Sequence, residues 1–308
     1  MRKAGFIAIV GRPNSGKSTL LNAILKTQIS IVTPKAQTTR DQVLGILTEE
    51  PGQIVFVDTP GIHRAKEGGI NQYMVNQARE ALESPHLIWY LVDPASALEH
   101  EKAVIELLAH ASVPVFLLMN KLDWVIKAKK DALLEFERTL VQTLEAAGIR
   151  VDQKREISAL KSIGLDELLQ LSWPHLPEGE PYYPDPDQVS DRPVRFFVAE
   201  KIRERLYYLL GDEVPYSCGI EIDRFDENAK PPRIEATIHV ERESQKGIVI
   251  GQGGKKIKEI GQTARQEIED FLGEKIFLGL RVKVLKDWTQ SPEAMKRIGY
   301  SLPGKKRK

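Results

Sequence analysis

Apolar and polar positions follow two different rhythms along this chain. Up to about residue 176, unbroken runs rich in Val, Ile and Leu occur at 6–10, 54–57, 87–92 and 113–119. Each ends in polar or Gly/Pro punctuation and leads into a stretch of helical period, clearest at 17–25, 71–82, 99–110, 130–147 and 165–171. Unbroken apolar strands between helices need cover on both faces. Residues 1–176 are therefore predicted to form an α/β domain with a doubly wound, mostly parallel sheet. Residues 177–193 hold five prolines in 17 positions, which sustains neither a helix nor a central strand. This segment reads as a linker containing the domain boundary. In 194–308 the rhythm changes. A helix is predicted over 194–210, and half-buried strands over 218–225 and 233–241, where Ile220, Ile222, Ile234, Ala236, Ile238 and Val240 alternate with polar residues. A helix follows Gly254, a break is expected at Gly261, and a longer helix runs to about Leu272. A last strand covers Leu278 to Leu285. The order α-β-β-α-α-β describes a smaller α+β domain, and no internal repeat is visible.

Composition narrows this only a little. The 308 residues suffice for two domains, and 42% hydrophobic with 28% charged residues is a globular balance. A net charge of +1 gives the whole molecule no electrostatic case for nucleic acid, so any basic surface has to be local. The single cysteine, Cys218, has no disulfide partner within the chain, reads as a small core residue, and fits a reducing cytoplasm. The apolar run at 6–10 is too short for a signal peptide, and nothing approaches the roughly 20 apolar residues of a membrane span. Peripheral membrane contact stays open.

Candidate chemistry changes the picture more. Gly11-Arg12-Pro13-Asn14-Ser15-Gly16-Lys17-Ser18 fits G-x-x-x-x-G-K-[ST] between a predicted strand and a predicted helix that opens with Thr19. Its glycines let backbone N–H groups converge on a phosphate at a helix N-terminus. Lys17 would neutralise the β and γ phosphates, and the Ser18 hydroxyl would hold Mg²⁺. Chance alone produces this pattern in roughly one chain in a hundred of this length. Asp58-Thr59-Pro60-Gly61 stands at the end of the run 54–57. Asp58 would serve Mg²⁺ through water, and the Gly61 N–H would meet the γ-phosphate. Asn120-Lys121-Leu122-Asp123 ends the run 113–119. A carboxylate at Asp123 accepts from N1–H and the 2-amino group of guanine, and adenine offers neither donor. Ser158-Ala159 after Ile157 fits a loop backing the base. Thr33 to Asp41 and residues 61–70 are the expected switch loops. Within the first, Thr39 is the preferred γ-phosphate-dependent metal ligand and Thr38 the alternative.

In family order across residues 6–171, these motifs resemble the translation-factor-related branch of small GTPases, and so a P-loop GTPase fold. Many relatives carry a water-orienting glutamine just after the third motif. Here that position is Ile62, so intrinsic hydrolysis is expected to be slow. In some relatives that lack the glutamine, an asparagine at the place of Asn14 helps bind K⁺ in the role of an arginine finger. The resemblance thus implies GTP/GDP, Mg²⁺ and a candidate K⁺. The catalytic set is Lys17, Thr39, Gly61 and Asn14.

Gly251-Gln252-Gly253-Gly254 is G-x-x-G in an apolar frame that includes Ile248, Ile250 and Ile257. Residues 245–258 contain four lysines, among them Lys255, Lys256 and Lys258, and no acid. A KH domain uses such a loop to clamp about four single-stranded nucleotides, and the element order agrees with its type II form. A GTPase followed by this domain resembles the Era family of bacterial ribosome-assembly GTPases over essentially the whole chain. That resemblance implies binding to 16S ribosomal RNA near its 3′ end, a role in 30S assembly and 16S maturation, a cytoplasmic monomer, and partial association with the inner membrane. Nucleotide state would gate the RNA. Ile62 keeps a second reading in view, an RNA-binding module whose nucleotide is mainly structural. The tail Gly304 to Lys308 is basic, and a solvated tail explains it as well as a phosphate contact does.

Overall fold

The computed structural model describes residues 2–35, 38–62, 68–124, 130–211 and 213–300. Ala36 and Gln37 of the first switch loop, residues 63–67 of the second, and the basic tail lie outside them. The chain divides into two compact units. One comprises residues 1–65 with 74–191, the other 66–73 with 192–308.

The first unit is built from β1 (Lys3–Gly11), α1 (Lys17–Leu25), β2 (Val43–Glu49), β3 (Gly52–Asp58), most of α2 (Gly69–Glu80), β4 (Leu87–Val92), α3 (Lys102–Leu108), β5 (Val115–Met119), α4 (Lys130–Ala146), β6 (Val151–Glu156) and α5 (Leu165–Ser172). The sheet runs β2-β3-β1-β4-β5-β6, parallel throughout except for the antiparallel β2–β3 pair. Every residue of β3, β4 and β5 is buried, as unbroken apolar strands covered on both faces must be. The edge strands are different. β2 and β6 are partly exposed and polar at several positions, so their patterns carry no unbroken apolar run. For β2 this is why the sequence pattern misses it. From β1 the chain passes through α1 to β2 and β3 on one side, and from β3 it crosses to β4 on the other side of β1. This switch point opens a crevice beyond the strand ends, into which residues 11–18 and 58–61 are delivered.

The second unit contains α6 (Val194–Leu209), β7 (Gly219–Asp226), β8 (Arg233–Val240), α7 (Glu243–Ile250), α8 (Lys255–Leu272), β9 (Phe277–Val284) and α9 (Pro292–Arg297). β7 pairs antiparallel and β9 parallel with the central β8. Val198, Ile202 and Leu206 of α6 join Ile260, Ala264 and Ile268 of α8 over Ile234, Ala236 and Ile238 in one core. Cys218 is fully buried beside it, its thiol 3.2 Å from the Val214 carbonyl. The break expected at Gly261 is absent, because α8 is continuous through it. One glycine weakens a helix by about 1 kcal/mol. That is less than the apolar stripe Ile260, Ala264, Ile268 gains by burial. The helix preceding the glycine loop is α7. The strand expected at 278–285 begins one residue earlier. α9 was not foreseen. It follows a turn in which the fully buried Trp288 donates from Nε1 to the Ser217 carbonyl at 2.8 Å. Residues 66–73 count with this unit, and the Ile70 N–H reaches the Thr289 carbonyl at 2.8 Å.

The proline-rich segment expected to be a linker is fastened to the first unit along most of its length. Ala4 N–H donates to the Pro177 carbonyl at 3.0 Å, Gly179 N–H to the Arg2 carbonyl at 3.1 Å, and Ile46 N–H to the Val189 carbonyl at 2.9 Å. The fully buried Gln53 holds its middle, donating to the Tyr183 carbonyl at 2.9 Å and accepting from the Tyr183 N–H at 3.0 Å. Proline removes donors, but the remaining backbone groups still need partners, and the open β2 edge and side chains such as Gln53 supply them. Gln53→Ala should release this strap and destabilise the unit by about 1–3 kcal/mol, since it leaves buried groups unpaired. Limited proteolysis should then cut within 181–191, and a chain as resistant as wild type would refute the role.

Candidate nucleotide site and glycine loop

Residues 11–18 leave β1 and enter α1 through a left-handed turn. Gly16 has φ +100° and caps the helix with no side-chain acceptor. A Cβ on Gly16 would stand 2.3 Å from Asn120 Nδ2, so glycine is required for conformation and for space. The first turn of α1 holds no acid, which leaves its N–H groups and its dipole for an anion. Lys17 is buried and donates from Nζ to the carbonyls of Gly11 at 3.1 Å and Arg12 at 2.8 Å. Beside this lysine is a cavity of about 320 Å³ lined by Asn14, Lys17, Ser18, Thr19, Thr39 and Lys121, among others.

Three oxygens converge next to it. Ser18 Oγ donates to Asp58 Oδ2 at 2.8 Å and lies 3.0 Å from Thr39 Oγ1. Asp58 Oδ1 is buried with no hydrogen-bond partner among the described residues. A buried carboxylate oxygen without a donor, beside two hydroxyls, is a hard-oxygen set that fits Mg²⁺. Thr38 points elsewhere, to Thr33 Oγ1 at 2.6 Å and the Lys35 carbonyl at 2.8 Å. Burial lowers the Lys17 pKa to about 8, opposed by attraction to Asp58 and Glu101. Burial likewise raises that of Asp58, opposed by Lys17. Each group is pushed toward neutrality, and each is relieved by a ligand of opposite sign: a polyphosphate for Lys17, a divalent cation for Asp58.

The guanine-reading loop is joined to the phosphate loop through Asn120. Its Nδ2 donates to the Ser15 carbonyl at 2.8 Å, and its Oδ1 accepts from the Ala159 N–H at 2.9 Å. Thus Asn120 ties three loops together and is itself nearly inaccessible. Asp123 remains exposed, its Oδ1 accepting from Ser158 Oγ, so the carboxylate is oriented but still open to a base. Lys121 has φ +67° and ion-pairs with Asp93 at 2.6 Å.

Other expected residues are placed differently. Thr59 turns its hydroxyl away from the crevice to the Ile9 carbonyl at 3.0 Å, where it braces β1 against β3. Pro60 is buried beside it. Gly61 lies so close to Pro13 that a Cβ would stand 2.6 Å from its Cα. The Arg12 side chain leaves the crevice for Ser96 Oγ and Glu101. Ile62 is partly buried and packs against the apolar cluster under β4 and β5. Asp93, Tyr90 and Glu101 were missed. They sit at no recognisable spacing, and only the adjacency of β1, β4 and β5 brings them to the loops.

In the second unit, Gly251 (φ +71°, ψ 172°) ends α7 in a conformation open to glycine alone, and its Cβ would stand 2.6 Å from Lys256 Cβ. Gly253 and Gly254 are left-handed with open space above them. Gln252, Lys255 and Lys258 are exposed, and Lys256 pairs with Glu259 at 2.8 Å. Ile248 is exposed, and Ile250 and Ile257 are half-buried, so an apolar shelf flanks a cationic backbone turn.

A site that tests for guanine, grips phosphates on backbone amides and presents a carboxylate to Mg²⁺ belongs to the P-loop GTPases, here with a KH fold in the same chain. Both halves match family models: residues 6–121 that of the 50S ribosome-binding GTPases, residues 213–289 that of the KH domain. Over 300 residues, 97% of each chain, the sequence is 42% identical to GTPase Era of Staphylococcus haemolyticus. A crystal structure of a single-residue variant of Aquifex aeolicus Era bound to GDP·AlF4⁻ superposes with a TM-score of 0.89 at 38% identity, covering 97% of this chain and all of the other. A structure of Era with MgGDPNP and nucleotides 1506–1542 of 16S ribosomal RNA gives 0.90 at 37% identity, covering 98% and 100%. The chain belongs to the Era family of GTPases, and its reaction is GTP hydrolysis.

Asp123→Asn should move preference from guanine to xanthine nucleotides, because the side-chain amide N–H donates to the 2-oxo group of xanthine but finds a donor in the 2-amino group of guanine, while its oxygen still accepts from N1–H. Competition binding of GDP against XDP measures this, and retained guanine preference would refute the base-reading role.

Proposed function

We propose that this GTPase is a nucleotide-switched binder of 16S ribosomal RNA acting in assembly of the 30S subunit and maturation of its RNA. The observation that carries the RNA half is the glycine loop, where α7 and α8 meet at a left-handed backbone turn with exposed Gln252, Lys255 and Lys258 around it. No side chain there blocks close approach of a sugar-phosphate backbone. The relative solved with a 16S fragment supports the choice of RNA. Family likeness also points to a monomer working in the cytoplasm, with peripheral contact at the inner face of the membrane. Among the described residues no helix is long and apolar enough to cross one.

Ser18, Thr39 and Asp58 would hold Mg²⁺, which would supply charge neutralisation to the phosphates. The chain's own groups do the rest. Lys17 gives up its two carbonyl partners for phosphate oxygens, and the α1 amides hold the phosphates in place. Thr39, already beside Ser18, is the switch residue that a γ-phosphate would draw in. Ile62 orients no water, so hydrolysis needs another aid. Asn14 supports a monovalent cation. It stands in a left-handed turn with φ +63°, and its Nδ2 donates to the Pro34 carbonyl at 3.1 Å, which leaves Oδ1 as an acceptor.

Three outcomes follow. Turnover should be faster in K⁺ than in Na⁺ salts, and equal rates remove the cation from the mechanism. Changing Gln252 and Gly253 to Asp should abolish binding to a 16S 3′-end RNA while GDP affinity stays within about twofold of wild type. Unchanged RNA affinity would place the RNA site elsewhere. RNA affinity should differ between GDP and a GTP analogue, since a ligand with equal preference for both states shifts nothing.

A further inference from the structure

Of the carboxylates in the segment between β4 and α3, Asp93 and Glu101 each meet the cation that leaves one of the two nucleotide-gripping loops. Asp93 Oδ2 takes Lys121 Nζ of the guanine loop at 2.6 Å. Glu101 Oε1 lies 3.7 Å from Arg12 Nη1 of the phosphate loop. Both acids are fixed in advance. Asp93 Oδ1 accepts from the Ala95 N–H at 3.0 Å, closing a tight turn. Glu101 is 1% exposed, and its Oε2 accepts from the buried Tyr90 hydroxyl at 2.7 Å. Ser96, on the same segment, gives Arg12 a second partner. A cavity of about 330 Å³ lies between this segment and residues 12–15, and the contacts of Arg12 with Ser96 and Glu101 bridge it.

We propose that Asp93 and Glu101 are positioning residues for nucleotide binding, acting through Lys121 and Arg12. Two effects of removing them oppose each other. Loss of a negative charge strengthens the attraction for any anion, and that effect is screened by salt. Loss of the link lets the loop move, so ordering it opposes binding at any salt concentration. With Glu101 buried and hydrogen-bonded, the second effect wins.

The test uses the full-length chain with Glu101→Gln, Asp93→Asn and both together. Glu101→Gln keeps an acceptor for the Tyr90 hydroxyl and puts an uncharged amide nitrogen in place of the oxygen that faces Arg12, which breaks the link. Each single change should raise the Kd of a fluorescent GDP about tenfold (about 1.4 kcal/mol) at both about 50 mM and about 500 mM salt. The pair should raise it about a hundredfold, and kcat at saturating GTP should stay within about threefold. Amide hydrogen exchange in the nucleotide-free protein should rise at residues 12–16 for Glu101→Gln and at 120–123 for Asp93→Asn, with β5 unchanged. A Kd within about twofold of wild type overturns the proposal. So does tighter binding that grows at low salt, or exchange that rises evenly across the sheet. Should Glu101→Gln fail to fold, the partly exposed Asp93→Asn decides by the same readouts.

Discussion

Burying an ammonium and a carboxylate at the open end of one sheet is the constraint from which the nucleotide site follows. Lys17 and Asp58 are both withdrawn from water at the switch point of the doubly wound sheet. Neither is fully satisfied there. Lys17 leans on two loop carbonyls, and one oxygen of Asp58 has no donor among the described residues. Desolvation acts on the charged form of each. A polyphosphate with a divalent cation resolves both at once, so the site is poised for that ligand and for little else.

Around this pair, selectivity is built by tethering and not by bulk. Asn120 ties the phosphate loop to Ala159, and Ser158 orients Asp123. The candidate base-reading groups are therefore held from three separate strand ends. In the glycine loop of the KH unit the backbone at Gly253 and Gly254 is likewise left open, with nothing within 4 Å of where a Cβ would stand.

Much of this was legible in the sequence. Fully buried strands announce themselves as unbroken apolar runs, and 54–57, 87–92 and most of 113–119 became β3, β4 and β5. Loops whose chemistry depends on local backbone form, such as Gly11 to Ser18 and Gly251 to Gly254, show it as fixed spacing. The misses have physical causes. β2 is an edge strand with one half-exposed face, Gly261 is outvoted by the apolar stripe around it, and prolines at 177–193 suggested freedom where the strand edge and Gln53 supplied partners. That Ile62 packs, partly buried, against the cluster under β4 and β5 was not readable, because an apolar side chain carries no address.

By itself, then, the sequence determined the class of ligand and the two-domain plan, since phosphate gripping, guanine reading and RNA clamping each demand particular residues within a few positions of one another. Tertiary structure alone decided that the oxygens of Ser18, Thr39 and Asp58 converge, that Thr39 and not Thr38 faces Ser18, that Thr59 and Arg12 turn away, and that Asp93 and Glu101 meet the cations of the two loops. These are meetings of residues far apart in the chain. Strand order sets them, and strand order is a property of how whole faces pack, which no local spacing encodes.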